Sequence, residues 1–502
     1  MSPLPVNLLK CIRQLITPGV PVYLVGGAVR DQLMGLESHD LDFAVKEGAI
    51  QLGRKVADVS SGAFFILDAD RGIARVLVNG DGENYTLDFT NFRGNTLEAD
   101  LKHRDFTVNA LAQNLDDSQK VIDPLKGQSD IESKIIRACS HTSFIDDPIR
   151  ILRAVRFSFQ LGFTIDPATE KLLRPAVKSL MDSSIERQCD ELFHILDGPK
   201  PDLAMGILNN YGIFPHLLPE LVPLIHYPQS IHHAHDAWEH TLSVLNYCGQ
   251  ILDFILINKE MEIKNSFLQS AAKELQPFQL QLKKYFNEQM NPARSPRSIF
   301  MFAALYHDVG KPSTQTEDGE AIRFINHEIV GAEMTAIRAR ALALSNDEVR
   351  FIESVICNHM SIHQLVKVDN LDFRKAAYGY FLAAGKAGVA DCLFSLSDLL
   401  STYEERMEKA RWNAGTHMCV RLLDAWFNHY SEYVKPPVLI NGDELQSRFK
   451  LTPGPRIGRL LAKLEEAQAV GIVKSREEAQ DFIQSVLSDT QEEEDGNSEF
   501  IL

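Results

Sequence analysis

The chain has no Cys-x-x-Cys pair. Its seven cysteines, Cys11, Cys139, Cys189, Cys248, Cys357, Cys392 and Cys419, stand singly along 502 residues. That spacing excludes zinc ribbons and argues against a disulfide framework, so a reducing cytoplasm is the expected setting. No apolar run is long enough to span a bilayer, and no membrane partner is expected. The opening MSPLPVNLLKCIRQLI alternates apolar and charged residues like an amphipathic helix and lacks the layout of a secretory signal. A basic excess is missing too: 51 Lys and Arg face 68 Asp and Glu, for a net charge of −17. This excludes indiscriminate nucleic-acid binding over the whole surface and leaves room for a local basic groove. Internal repeats are absent. The remaining composition, 45% hydrophobic and 24% charged, is that of a globular protein of about three or four domains.

The stretch that carries most chemistry is Tyr23 to Val45, YLVGGAVRDQLMGLESHDLDFAV. It reads as an apolar strand, a Gly-Gly turn, a helix and a second strand. Asp40 and Asp42 lie two apart on that second strand and so point to one side. Two converging carboxylates suit a hard divalent cation such as magnesium. Gly26 and Gly27 let backbone approach a ligand, the helix after them offers N–H groups to phosphate, and Arg30 adds a fixed positive charge. Phosphate cradle and metal pair together describe phosphoryl or nucleotidyl transfer.

Residues 1 to about 140 mix strands and helices, with candidate strands FFILD, IARVLV and YTLDFT. Asp88, in the last of these, is either a third carboxylate for the metal or an exposed strand residue. From about 141 to 225 the pattern is helical. In IDDPIRILRAVRFSFQLGF, Pro148 is expected just inside a helix start. Arg150, Arg153 and Arg156 share one helix face behind the pair Asp146-Asp147, which favours planar recognition of anions or bases. Arg187 and Glu191, four apart in ERQCDELFHIL, are expected to pair with each other.

The region from about 226 to 400 is helical and rich in histidine, with an insertion at about 255 to 297. His240, His307, Asp308, His327, His359 and Asp391 each lie on or at the end of an apolar helical segment. Mixed imidazole and carboxylate ligation suits manganese, iron, cobalt, nickel or zinc better than magnesium. His232, His233 and His235 are expected in a surface loop. Residues from about 401 to 488 are helical; those from 441 on are interrupted at Pro453-Gly454-Pro455, with Arg448, Lys450, Arg456, Arg459 and Lys463 on a basic side. Residues 489–502 are expected to be disordered.

The pieces LVGGAVRD with HDLDFAV, HRDFTVNALA, DPLKGQSDIESKIIR, DDPIRILRAVRF and ERQCDELFHIL follow in one order over about residues 20 to 200. In these motifs the chain resembles the class II (bacterial-type) tRNA nucleotidyltransferases and their poly(A) polymerase relatives. The ending NGDELQSRFKLTPGPRIGRLLAKLEEAQAVG is similar to the C-terminal part of many members, and the middle resembles their HD phosphohydrolase domain. The resemblance implies an α+β fold: a polymerase-β-like nucleotidyltransferase head with a small mixed sheet, then an all-helical neck, an HD-type body and a tail that holds tRNA. It implies that Asp40 and Asp42 hold magnesium and that Gly27 and Arg30 touch the triphosphate. It assigns Arg104, Asp105 and Asn109 to the ribose, Asp147 and Arg150 to the base, and Arg153 and Arg156 to phosphate. His103 stands where the family has an arginine, and Asp146 where many members have glutamate. In the HD region the expected core ligands are His240, His307, Asp308 and Asp391, with His327 and His359 for a second metal.

The base-reading role also follows from hydrogen bonding. A carboxylate only accepts and a guanidinium only donates. Cytosine and adenine each present an exocyclic amine beside a ring acceptor, which matches Asp147 and Arg150. Uracil and guanine present a carbonyl and an N–H, and leave both side chains unpaired. The expected reaction is therefore attack of a tRNA 3′-hydroxyl on CTP or ATP with release of pyrophosphate. A poly(A) polymerase, or an HD phosphohydrolase with an RNA-binding head, are the alternatives. In CCA-adding relatives a flexible loop between the last head strand and the ribose motif helps the switch from CTP to ATP. Here Phe92 to Asn95 leave room only for a turn, which points to a CC-adding enzyme or to another segment doing the loop's work.

Overall fold

The structure is a computed structural model of the chain. It describes residues 5–17, 19–80, 83–117, 120–230, 233–257, 265–292, 294–318 and 321–496. The chain divides into two compact units. One comprises Met1–Pro199 with Ile207–Leu217, the other Lys200–Gly206 with Leu218–Leu502.

The first unit begins with helix α1 (Val6–Leu15), strand β1 (Val22–Val25), helix α2 (Gly27–Leu33), strand β2 (Asp40–Val45) and helix α3 (Ala49–Ser60). Strands β3 (Ala63–Asp68), β4 (Ile73–Gly80) and β5 (Glu83–Asn91) follow, then helix α4 (Leu97–Lys102) and strands β6 (Ala112–Asn114) and β7 (Val121–Ile122). The seven strands form one mixed sheet in the order β3-β4-β5-β2-β1-β6-β7. Only β2 and β5 pair in parallel; the other neighbours are antiparallel.

Strand alternation decides what each face carries. Leu41, Phe43 and Val45 of β2 join Leu24, Leu87 and Phe89 in a core closed by Ile12 of α1 and Val56 of α3. Asp40 and Asp42 fall on the opposite face. Part of that face is covered by a smaller cluster that includes Ala44, Leu101 and Ala112.

Two helices of this unit matter for the site: α5 (Arg150–Leu161) and α6 (Ile185–Leu196). The α5 start differs from the sequence expectation. Pro148 lies in a turn before the helix, and Asp147 is extended at φ −152°, ψ 97°. A residue ahead of proline is driven out of the helical region, so Asp147 ends the short helix Ser143–Asp146 and α5 starts afresh at Arg150.

In the second unit the relevant helices are α7 (Ala237–Ile257), α8 (Pro296–Tyr306), α9 (His327–Ala341), α10 (Asn346–Asn358) and α11 (Ala387–Tyr403). Helix α11 is buried continuously from Ala387 to Ser401, and its apolar residues enclose Asp391 and Asp398. The expected insertion supplies helices Ser266–Leu275 and Gln279–Asn287. Farther on, α12 (Gly442–Phe449), α13 (Pro455–Ala469) and α14 (Arg476–Gly496) share a core of Leu445, Leu460, Leu464 and Ile483. Pro455 sits in the first turn of α13, where its missing N–H costs nothing. The disorder expected from 489 on is corrected as far as Gly496, because α14 continues there through glutamates that favour helix; 497–502 lie outside the described residues. Among the described residues no helix is long and apolar enough to cross a membrane.

Candidate functional site

The glycine turn is tightly specified. Gly26 has φ 76°, and a Cβ there would lie 2.7 Å from an Arg104 nitrogen and 3.0 Å from an Asp42 oxygen. Conformation and space both demand glycine, and the turn brings Arg104 beside Asp42. Burial raises the Asp42 carboxyl above the usual range; Arg104 opposes the rise, and the charges of Asp88 and Asp40 add to it. Asp88 stands in register with Asp42 on the neighbouring strand. Both of its oxygens accept from Arg75, at 2.8 Å each. Three carboxylates crowded on one face are a charge arrangement that a divalent cation relieves.

Asp42 lines a cavity of about 1270 Å³, whose walls also carry Arg71, Arg93, Arg104, Arg150, Arg153 and Arg187. Those arginines share the lining with eight carboxylates, so the cavity is of mixed charge. Asp147, Arg150, Asp105 and Glu191 line it too.

The structure redistributes the expected roles of several residues. Arg30 is buried and spends its guanidinium on Asp31 at 2.7 Å and on Asn109 at 2.6 Å. It lies beside the glycine turn and is not among the residues that line the cavity. Asn109 is also buried and donates to Asp105 at 3.1 Å. Arg153 donates to the Asp105 carboxylate at 2.7 and 2.9 Å and to Glu191 at 3.0 Å. Burial alone would raise the Asp105 carboxyl; Arg153 and the surrounding donors bring it down to about 2. Arg156 is held by Glu191 at 2.7 Å and does not line the large cavity. The Arg187–Glu191 pair expected from spacing does not form. Arg187 forks onto Asp147 at 3.0 and 2.8 Å, while Glu191 turns to the α5 arginines. A bidentate partner across the cavity outcompetes a solvated i,i+4 pair.

Arg150 is buried and donates to the His103 carbonyl at 2.6 Å and to Ser143 Oγ at 2.9 Å. These contacts leave at least two of its five N–H donors for a ligand. Arg93 and the Arg187–Asp147 fork escaped the sequence reading: contacts between separate helices leave no mark in local spacing.

The second cluster lies in the other unit. His240 is on α7, His307 and Asp308 follow α8, His327 opens α9 and His359 follows α10. The Nδ1 atoms of His307, His327 and His359 lie 2.9, 2.9 and 2.6 Å from the carbonyls of Ala304, Phe324 and Ile356. A proton on each Nδ1 leaves a bare lone pair on each Nε2. The Nε2 atoms of His307 and His240 are 3.3 Å apart, and those of His327 and His359 3.2 Å. With both protons on Nδ1, the Nε2 lone pairs of His327 and His359 face each other and repel, and a cation between them removes the conflict. Asp308 is shared: Oδ2 lies 3.0 Å from His307 Nε2, and Oδ1 lies 3.4 Å from His327 Nε2. His240, His307 and Asp308 form one set able to hold a metal, and Asp308, His327 and His359 a second.

Asp391 belongs to neither set. It is fully buried, accepts from Tyr380 Oη at 2.8 Å, and its carboxyl is pushed by burial up to about 7. The carboxylate at the cluster is Asp398, 3.0 Å from His240 Nε2 and 2.9 Å from His363 Nε2. The sequence signal for Asp398 existed: it sits seven residues on, on the same helix face. Lys311 was missed as well; its Nζ lies 2.6 Å from Asp308 Oδ2. Of the loop histidines, His235 is exposed as expected, whereas the His233 ring is half-buried with its centroid 5.3 Å from that of His240; His232 lies outside the described residues.

Residues 22–137 match the family model "Poly A polymerase head domain", residues 162–225 "Probable RNA and SrmB- binding site of polymerase A", and residues 237–372 "HD domain". An A-adding tRNA nucleotidyltransferase of Deinococcus radiodurans is 32% identical over 93% of this chain and 96% of its own length. A CC-adding tRNA nucleotidyltransferase of Thermus thermophilus is 30% identical, covering 91% and 92%. A solved CCA-adding enzyme in complex with ATP has the same fold, with a TM-score of 0.61 and 19% identity over 96% of this chain and 95% of its own.

Proposed function

The chain belongs to the class II tRNA nucleotidyltransferase family with an HD domain, and from that premise we propose that it adds C residues to the 3′ end of tRNA from CTP and stops at CC. The observation that carries the reading is Asp42, with Asp40 and Asp88 on the same sheet face, at the edge of an arginine-lined cavity whose far wall holds Asp147 and Arg150. Asp40 and Asp42 would hold magnesium. Bound there, magnesium would make the RNA hydroxyl a better nucleophile and stabilise the leaving pyrophosphate.

The protein's own residues do the rest. Arg93 and Arg104 present positive charge to the triphosphate. Asp147 accepts from the exocyclic amine of cytosine, and each of its oxygens keeps a lone pair while Arg187 holds the carboxylate plane. Arg150 donates to the ring acceptor. A site of this kind rejects uracil and guanine by up to ~10⁴-fold, because both side chains would be left unpaired. ATP satisfies the same pair, so discrimination of A from C rests on gating. Strand β5 ends at Asn91 and α4 begins at Leu97 with Thr96 as its cap. Between them Phe92 N–H donates to the Val45 carbonyl at 2.8 Å, and Arg93 N–H to Asp100 at 2.9 Å. These bonds hold the first half of an already short segment and leave little free chain to take two positions.

The test is incubation with tRNA transcripts ending before CCA, after C and after CC, with each labelled nucleotide in turn. Two C residues followed by a stall, and poor AMP transfer to the CC end, are expected. Efficient AMP addition to the CC end overturns the stop at CC: with CMP incorporation it shows full CCA addition, and without it A addition alone.

The converging imidazole lone pairs favour a second activity. The HD cluster would hold a transition metal, one of manganese, iron, cobalt, nickel or zinc, at His240, His307, Asp308 and Asp398, with a second at Asp308, His327 and His359, and would hydrolyse phosphate esters. Metal analysis of protein purified without chelator, with assays on 2′,3′-cyclic and 3′-terminal phosphates, tests this. A cytoplasmic setting fits seven cysteines, none of which is joined in a disulfide.

A further inference from the structure

The catalytic face of the sheet continues past the carboxylates. Phe65 lies opposite Arg75, Arg75 opposite Asp88 and Asp88 opposite Asp42, so one row crosses four strands. The next row is Ala63, Leu77, Thr86 and Asp40. Side chains in such rows share a face. On the far side of the carboxylate row, Ile73 and Thr90 line the large cavity, whereas Asp40, Thr86, Leu77 and Phe65 do not. The carboxylates therefore stand on a border between the cavity and an exposed, largely apolar strip.

The strip is exposed although the sheet behind it is well packed. Phe65 and Leu77 are 48% and 43% exposed. Their neighbours Val76 and Leu87 point the other way, into the core, and Phe64 packs against it. An aromatic and a leucine left in water beside a guanidinium, next to reacting groups, cost stability unless something covers them.

We propose that this strip is the platform on which the 3′-terminal nucleotides of the acceptor RNA lie, with one base stacked on Phe65, apolar contact at Leu77 and phosphate facing Arg75. The placement rests on Asp40 and Asp42 being the reaction centre of nucleotide addition. Two substrates must meet at those carboxylates. The cavity side holds the base-reading pair and the triphosphate-facing arginines, so the incoming nucleotide occupies it. The RNA hydroxyl then reaches the centre from the Asp40 side, over β5, β4 and β3. A single-stranded nucleic-acid end offers what this surface takes: flat apolar base faces and phosphate charge.

Steady-state addition to a tRNA transcript lacking CCA tests the platform. Phe65→Ala is expected to raise KM for RNA about tenfold, the scale of one lost base–aromatic stack, without moving KM for CTP or the melting temperature. Phe65→Tyr keeps the stack and restores KM for RNA. A transcript with 4-thiouridine next to its 3′ end, irradiated in the near ultraviolet, is expected to cross-link to peptides of β3 or β4. An unchanged KM for RNA in Phe65→Ala, Phe65→Glu and Leu77→Ala, or cross-links confined to other segments, overturns the proposal. The failure of the underlying reading looks different: Asp42→Ala would then still incorporate CMP.

Discussion

Asp42 stands at the edge of an open cavity, whereas Asp308 is only 1% exposed and enclosed by histidines. The head site is assembled on a sheet face that the core does not need, and its metal-holding carboxylates can be altered without opening the core. The HD cluster is assembled at the ends and in the middle of packed helices, and its charges are part of what those helices enclose. A metal held by the HD cluster would be enclosed by packed helices, whereas one held by the head carboxylates would stand at the mouth of a cavity. Chemistry and stability should therefore separate at one site and move together at the other.

The sharpest break between them is Asp42→Ala against Asp308→Ala. Asp42→Ala is expected to lower CMP incorporation by about 10³-fold or more, as for loss of a group that acts in the transition state, with an unchanged melting temperature. Near-normal incorporation would remove the metal-site assignment. Asp308→Ala is expected to leave incorporation per folded molecule intact and to cost about 3–5 kcal/mol of unfolding free energy, because Lys311 and His307 lose a buried partner. Chelation should act in the same direction: a metal that binds only the folded state stabilises it, so its removal lowers the HD melting transition and leaves the head unaffected. Denaturant titration with and without chelator measures both.

Asp391 sharpens the comparison by pH. Its folded carboxyl is raised to about 7, above an unfolded value of about 3.9. An acid raised on folding holds its proton in the native state, so stability falls as pH rises from about 4 to about 7 and the penalty is complete above that. Asp391→Asn removes the ionisation. The unfolding free energy of the variant relative to the parent should climb between pH 5 and about pH 7, by on the order of 3 kcal/mol, as denaturant titration reads it. A pH-independent difference would refute the assignment.

The smallest expected effect is at Arg187. Arg187→Ala frees the Asp147 carboxylate from its fork and should reduce the preference for CTP over UTP about tenfold, a loss worth about 1.4 kcal/mol. KM for CTP should change less than the selectivity does. Unchanged selectivity would place the template elsewhere.

Much of this was legible from the sequence. Gly26, Asp40 and Asp42 were readable because glycine conformation and strand alternation are local rules. The HD histidines were readable because each sits at the end of an apolar helical run. What was not legible depends on which helix faces which. Arg187 and Glu191 looked like partners by spacing, yet each has a stronger partner on another element. Asp391 and Asp398 share a helix face, and only the arrangement of α7 against α11 decides which meets His240. The burial of Arg30 was not legible, because charge is visible in a sequence and the burial of that charge is not.

The chain of contacts from Arg30 through Asn109, Asp105, Arg153 and Glu191 to Arg156 joins the glycine turn, the ribose wall and both neck helices. Burial and mutual ionisation make these contacts expensive to part. On the reading proposed above, the cavity beside this chain of contacts is a fixed gauge and not a jaw: it would take one incoming base at a time without closing on it.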